Sequence, residues 1–389
     1  MKIAMKISLL AILSLVPRIS LAWTSLVVAA DRGVCPSAGY STIQSAVDAA
    51  EPGGTIRVCA GVYPEQVSIS KSVTIHGDNG AVLLPDSMTS NASSLVDGAP
   101  IAAALFVSNA TNVSISGLIV DGAGNGITEC APKLEGVLYQ NASGSVTHTT
   151  VRNFKLSLSL NGCQSGTGVF VQSGNGRVSS VTIEDCSIHD FQKNGLTADE
   201  NGTTVFVHRN VVTGIGPTSG AAQNGIQVGF GAQGTIKGNT VTNNLWSGCT
   251  TVATCQAVAT DILVTGSDGV EVMDNRAGVA QIPVYIVASN VAVLRNEVFA
   301  SNVFDGIRVE GGENAVAANH VFDGAESGVY LMGDFNFVLE NVITDAPVGI
   351  FEAAGSLGTF LLSNQYFGVP VRVQDPPSTS LANLVQADR

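Results

Sequence analysis

Gly306-Ile307-Arg308-Val309-Glu310 is followed by Gly328-Val329-Tyr330-Leu331-Met332 and then by Gly349-Ile350-Phe351, three restarts of one phrase. The phrase is a Gly, an apolar residue, a variable residue and a second apolar residue. Backward from Gly306 it continues through Pro283-Val284, Asp261-Ile262, Gly225-Ile226 and Gly195-Leu196. Pro283, Gly306, Gly328 and Gly349 are 23, 22 and 21 residues apart. About a dozen residues after each start a second strand pattern ends in Asn: Asn210, Asn239, Asn275, Asn296, Asn319, Asn341 and Asn364, the last five spaced by 21, 23, 22 and 23. A repeat this short holds two or three strands and no helix, so it buries its apolar face only by stacking on its neighbours. The fold class this predicts is all-β, a parallel β-helix solenoid.

Composition agrees. A chain of 389 residues with 43 Gly, 13% charged and 45% apolar residues is turn-rich and able to form a core. A solenoid grows by adding coils, so one elongated domain is predicted over 31–373, with 374–389 as a tail or partial cap. Residues 1–22 read as a secretory signal: Lys2 and Lys6, an apolar run from Ile7 to Val16, and small residues Ser20 and Ala22 before the cut. The run is too short to span a bilayer; a retained anchor is the alternative. The formal charge of -13 becomes -16 without Lys2, Lys6 and Arg18, which excludes nucleic acid as a partner.

Seven cysteines fit an oxidising compartment. Cys35 and Cys59 bracket the first helix-strand unit, Cys249 and Cys255 close a short loop, and Cys130 and Cys163 flank a stretch between two early coils; these are the predicted disulfides. Cys186 is left over as a small apolar plug. No spacing resembles a zinc site, and no metal ligand set is assigned.

Ser41 to Ala50 places Ile43, Ala46, Val47 and Ala50 on one helical face, halted by Pro52-Gly53-Gly54. A helix here covers the open end of the stack. The run Tyr40 to Gly77, with Gly61-Val62-Tyr63-Pro64-Glu65 and Val73-Thr74-Ile75-His76-Gly77, resembles the N-terminal end of secreted right-handed β-helix proteins of the pectin lyase-like superfamily. Pectin methylesterases share the Gly-x-Tyr-x-Glu element, and the resemblance extends over roughly residues 35 to 370. It implies a right-handed single-stranded parallel β-helix and leaves activity open, because this frame carries lyases, hydrolases, esterases and epimerases. The catalytic motifs of the methylesterases, polygalacturonases and mannuronan epimerases find no match, so Glu65 is read as part of the first coil's frame.

Registering the starts sorts inward from outward. The inward rows are Val169, Leu196, Ile226, Ile262, Val284, Ile307, Val329 and Ile350, and two residues on Val171 to Leu331. The Asn column is structural: Asn tolerates left-handed backbone at a corner, and stacked amides bond from coil to coil. The sequons at Asn91, Asn109, Asn112, Asn141 and Asn201 are read either as glycosylation sites or as turn chemistry. The outward row carries Phe170, Thr197, Gln227, Leu263, Tyr285, Arg308, Tyr330 and Phe351.

Tyr285 and Tyr330 flank Arg308, about 4.8 Å apart from coil to coil. Sugar rings stack on aromatic faces and Arg grips carboxylates, so Gln227, Tyr285 and Tyr330 are candidate substrate-binding residues for an acidic polysaccharide. The alternative is cross-strand packing with a weak Arg-Glu pair. Catalytic candidates are Arg308, Glu310 and Asp334: Asp334 lies one coil along and two residues over from Glu310, a diagonal of roughly 8 Å that suits an inverting carboxyl pair. A lyase would need a cation to neutralise the uronate and a base to take the α-proton, with Arg308 and Lys193 as the candidates and calcium as a possible cofactor. Gln223 to Gln227, beside His189-Asp190 and His208-Arg209, is a second polar concentration. Two functions remain: an exported polysaccharide lyase or hydrolase, or a non-catalytic glycan-binding, adhesive or surface-structural β-helix. The insertion from Trp246 to Ala259 is placed to wall a groove.

Overall fold

The computed structural model describes residues 25–374 and the backbone of 384–386. The signal segment therefore lies outside the described residues, as does most of the tail. Each coil contributes a strand to three long sheets of 14, 12 and 13 strands. Among the described residues every pairing along the stack is parallel, the one antiparallel pair being Ala92–Ser93 against Pro100–Ser108. The solenoid is a right-handed parallel β-helix. Coils run in register from Gly54 onward, well before the first clear sequence repeat. At the far end Leu384–Gln386 adds a strand to the first sheet beside Phe360–Leu362.

The inward rows align as the spacing requires. Val284, Ile307, Val329 and Ile350 are successive partners, and all are fully buried. They belong to one continuous core cluster running the length of the stack, and each such side chain contributes roughly 1.5–3 kcal/mol relative to exposure.

The helix Ile43–Ala49 buries Ile43, Ala46 and Val47 over the first coil. Thr42 is its N-cap, its hydroxyl accepting from Ser45 N. Glu65 completes the end: its two carboxylate oxygens accept from Ile43 N at 2.6 Å and Gln44 N at 2.9 Å. A carboxylate at these free amides complements the helix dipole. Tyr63 is buried and donates to Cys59 O at 2.7 Å. The Gly-x-Tyr-x-Glu element is thus framework.

The asparagine column forms a ladder. Nδ2 of Asn296 donates to Oδ1 of Asn319 at 3.0 Å and to Val272 O at 2.9 Å, while its own Oδ1 accepts from both N and Nδ2 of Asn275. The same pattern links Asn210 to Asn239 and Asn319 to Asn341 to Asn364. One part of the expectation is corrected. The left-handed residue is the one preceding the Asn, as at Arg209, Asp274, Arg295, Ala318, Glu340 and Ser363. The Asn itself is held by its amide, so side-chain bonding and not tolerance of positive φ selects it. A second ladder, Asn314 to Asn336, occupies another corner. Three sequon residues, Asn109, Asn112 and Asn141, do have positive φ.

Disulfides join Cys35 to Cys59, Cys130 to Cys163 and Cys249 to Cys255. Cys186 is a buried free thiol that burial pushes up to about 11, which keeps it protonated and inert. Among the described residues no helix is long and apolar enough to cross a membrane.

Candidate functional site

The third sheet departs from strict alternation at one point per coil, and that departure builds its outer face. A Cβ on Gly306 would meet Val321 Cγ1 at 2.4 Å, and one on Gly328 would meet Ile343 Cγ2 at 2.4 Å. Both partners are core residues of the second sheet, so the Gly faces inward. The next residue, Ile307 or Val329, is also inward. Two consecutive inward positions bend the strand and turn the residue before the Gly outward. Triplets at i, i+3 and i+5 therefore lie on the outer side of the sheet: Asp305, Arg308, Glu310; Ser327, Tyr330, Met332; Asn194, Thr197, Asp199; and Glu135, Leu138, Gln140, the last buried, with Leu138 packed against Ile101 and Ala103 and Gln140 donating to Ser93 O. The i to i+3 reach is direct, with Asn194 Nδ2 donating to Thr197 Oγ1 at 2.8 Å.

In the Asp305 coil the triplet is one ionic unit. Arg308 donates through Nη1 to Asp305 Oδ2 at 2.9 Å and through Nε to Glu310 Oε1 at 2.7 Å. Ser327 donates to Asp305 Oδ1 at 2.6 Å from the next coil. Tyr285 is the strand neighbour of Arg308 on the previous coil. The guanidinium lies 3.8 Å from the Tyr330 ring centroid, and Tyr330 stacks on Phe351 at 5.4 Å with planes 7° apart. Asp305, Arg308, Ser327, Tyr330 and Phe351 line a cleft of about 480 Å³ together with Phe304 and with Val252 from the 246–259 insertion. The insertion thus lies where a groove wall was anticipated.

The electrostatics follow from burial. Asp305 has a side chain only 1% exposed, and this desolvation pushes its carboxyl up to about 6 against the pull of Ser327 and Arg308. Burial also pushes Tyr285 up to about 12, reinforced by Glu310. For Arg308 burial pulls downward but is outweighed by Glu310 and Asp305, which hold it raised and charged. Glu326 also lines the cleft and adds to the upward push on Asp305.

Tyr285, Arg308, Glu310 and Tyr330 thus come together as the column register implies. Asp334 does not join them. It sits in the turn after Met332, and its Oδ1 accepts from Leu357 N at 2.9 Å, tying one corner to the next. Gln227 lies further up the same face, three strands from Arg308, and donates to Asp199 at 3.3 Å. Gln223 is a corner amide that donates to Phe191 O. Lys193 donates to Ala222 O, with its amine pulled down by burial. Asp305 and Ser327 were missed because a two-residue period starting at the Gly gives no direction to the residue before it. Among the described residues no group of three or more His, Cys, Asp or Glu could hold a metal ion. The cleft also suits calcium poorly, because Asp305 and Glu310 already serve Arg308.

A three-sheet parallel solenoid with an aromatic, carboxyl-rich cleft on one face belongs among the right-handed β-helix proteins. The model described as "Right handed beta helix region" matches residues 167–365, and the chain belongs to that family. A search of curated proteins finds no match. Among solved structures, the GH136 lacto-N-biosidase from Eubacterium ramulus aligns with TM-score 0.55 and 11% identity, covering 90% of this chain and 67% of that one. A mutant of the periplasmic alginate epimerase AlgG aligns with TM-score 0.50 and 15% identity, covering 84% and 76%. The pectate lyase Pel9A aligns with TM-score 0.47 and 12% identity, covering 90% and 78%. At these identities the likeness is one of fold.

Proposed function

We propose that this chain is an exported glycan-binding β-helix protein whose outer third sheet takes a neutral, hydroxyl-rich polysaccharide, with the Arg308 cleft as its anchor. The observation that carries this reading is the Tyr330–Phe351 stack beside a guanidinium already bound by two carboxylates. Flat aromatic surface receives the apolar face of a sugar ring, and carboxylates and Arg N–H groups bond its hydroxyls. An acidic polymer fits less well. Its carboxylate would have to displace Asp305 or Glu310 from Arg308, and it would approach a chain of formal charge -13. Three disulfides among the described residues agree with an oxidising, extracytoplasmic setting.

Affinity electrophoresis through gels containing a β-glucan, a galactomannan, pectate or alginate tests this. Retardation is expected in a neutral polymer and is lost in Tyr330→Ala. Retardation by pectate or alginate alone, weakened in Arg308→Ala, would establish the acidic-polymer alternative, and no retardation in any gel would refute a glycan site.

A further inference from the structure

The first sheet changes character along its length. Its outward side chains form two rows, one on either side of a buried residue in each strand. In early coils the rows read Ser114, Ser145, Thr182 and Ser116, Thr147, Glu184. Farther along they read Ala292, Ala315, Phe337, Phe360 and Leu294, Ala317, Leu339, Leu362, which are successive partners on four neighbouring strands. The residues between the rows, Val293, Val316, Val338 and Leu361, are fully buried, so alternation fixes the eight on the solvent side. None of the eight is buried, and Phe337 is 46% exposed. Leu384–Gln386 extends the sheet at its edge beside Phe360–Leu362 and leaves this face uncovered. A contiguous apolar patch, on a sheet that is polar elsewhere and in a chain of formal charge -13, marks a contact surface.

We propose that this face is a two-fold contact with a second copy of the chain, the two solenoids running antiparallel. The argument is the order of sizes along each row. Small Ala292 and Ala315 occupy two strands, and Phe337 and Phe360, with ring centroids 6.2 Å apart, occupy the next two. A two-fold axis lying in the contact plane along the strands, midway between Ala315 and Phe337, reverses the order of coils and sets each row against its own equivalent. Phe337 of one copy then meets Ala315 of the other, Phe360 meets Ala292, Leu339 meets Ala317, and Leu362 meets Leu294. Three of these four pairs seat a large side chain on an alanine, so the two faces interlock. An unrelated apolar partner would have no reason to carry this profile; a second copy carries it by symmetry.

The rims and the area set the strength. At one corner Glu340 of one copy falls one strand spacing, about 4.8 Å, to the side of Arg295 of the other, an attraction added to the bond Arg295 already makes with Asp274. At the opposite corner the exposed Glu313 of each copy lies one spacing from its equivalent, which opposes association and is relieved by salt. Four strands with their corners cover about 19 Å by about 17 Å, a footprint of about 320 Å² per copy, against about 800 Å² per partner in a standard stable interface. The pair is therefore reversible and forms only at high protein concentration. The Arg308 cleft is on the third sheet, so both clefts of the pair stay open.

Sedimentation equilibrium of the full chain from about 5 µM to about 500 µM tests this, with thermal melting to show each variant folded. The average mass is expected to rise with concentration from one chain toward two and to stop there, because a two-fold contact closes on itself. Ala315→Glu is expected to abolish the rise. Ala315→Phe makes the face more apolar yet puts a ring where Phe337 of the other copy must sit, so it weakens the pair by at least about tenfold, as does Phe337→Ala. Combining the two exchanges large for small at the same contact and returns the dissociation constant to within about threefold of the wild type, an outcome that still decides if Ala315→Glu fails to fold. A single-chain mass at every concentration overturns the proposal. Association that survives in Ala315→Glu, strengthens in Ala315→Phe or climbs past two chains overturns it as well.

Discussion

Substituting Glu135 by Gln removes a titration and almost nothing else, so it gives a clean measure of what a buried acid does to this solenoid. In the unfolded chain Glu135 titrates near its ordinary 4.5; in the folded protein burial raises it to about 8. Between those values the folded state holds a proton that the unfolded state has released. Folding stability from this group is therefore fully present below pH 4.5, falls as the pH rises, and levels off above pH 8. The difference of about 3.5 pKa units corresponds to about 5 kcal/mol across that window. For a chain of this length, that is about 6 °C in melting temperature. Glu135→Gln cannot ionise, so its stability exceeds that of the wild type by an amount growing from near zero at pH 4.5 to about 5 kcal/mol at pH 8. Asp199 and Asp305 are raised by the same cause and remain in both proteins, so the difference isolates Glu135 apart from a small relaxation of Asp199. Thermal or urea unfolding at half-unit pH steps reads it. Parallel pH profiles for the two proteins would refute the reasoning, because they would place Glu135 in water.

Three further outcomes test the frame and the cleft. Asn296→Ala leaves Asn275 N and Val272 O buried without their partners and breaks two links of the ladder, costing roughly 3–5 kcal/mol in denaturant unfolding; a loss under 1 kcal/mol would remove the ladder from the account. Glu65→Ala uncaps the helix over the first coil and costs roughly 1–2 kcal/mol, with faster hydrogen exchange confined to residues near Ile43 and Gln44; unchanged exchange there would contradict the capping role. Tyr330→Ala shifts stability by less than about 2 kcal/mol, since the ring is half-buried, but lowers glycan affinity about 10- to 100-fold by isothermal titration.

Much of this architecture is legible in the sequence because a solenoid writes its period into the chain. Ile307, Val329 and Ile350 can be aligned by counting, and the alignment holds in space. The clustering of Tyr285, Arg308, Glu310 and Tyr330 follows from the same count. What counting misses is whatever depends on local backbone direction. Asp305 and Glu135 both precede an inward Gly, and only the bend at that Gly turns them outward. Asp334 fails for the related reason that a turn residue's side chain follows its turn and not the strand period. The early coils from Gly54 to Gln172 are also hard to see, since their intervals vary with loops such as 85–99, although their registers are as regular as those of later coils.

A crystal structure of the full chain soaked with an oligosaccharide of a retained polymer tests the central claim most directly. The account predicts a sugar ring against Tyr330 and Phe351, with the chain running along the outer face of the third sheet. Density on the first or second sheet, or at the ends of the solenoid, with the Arg308 cleft empty, would contradict it.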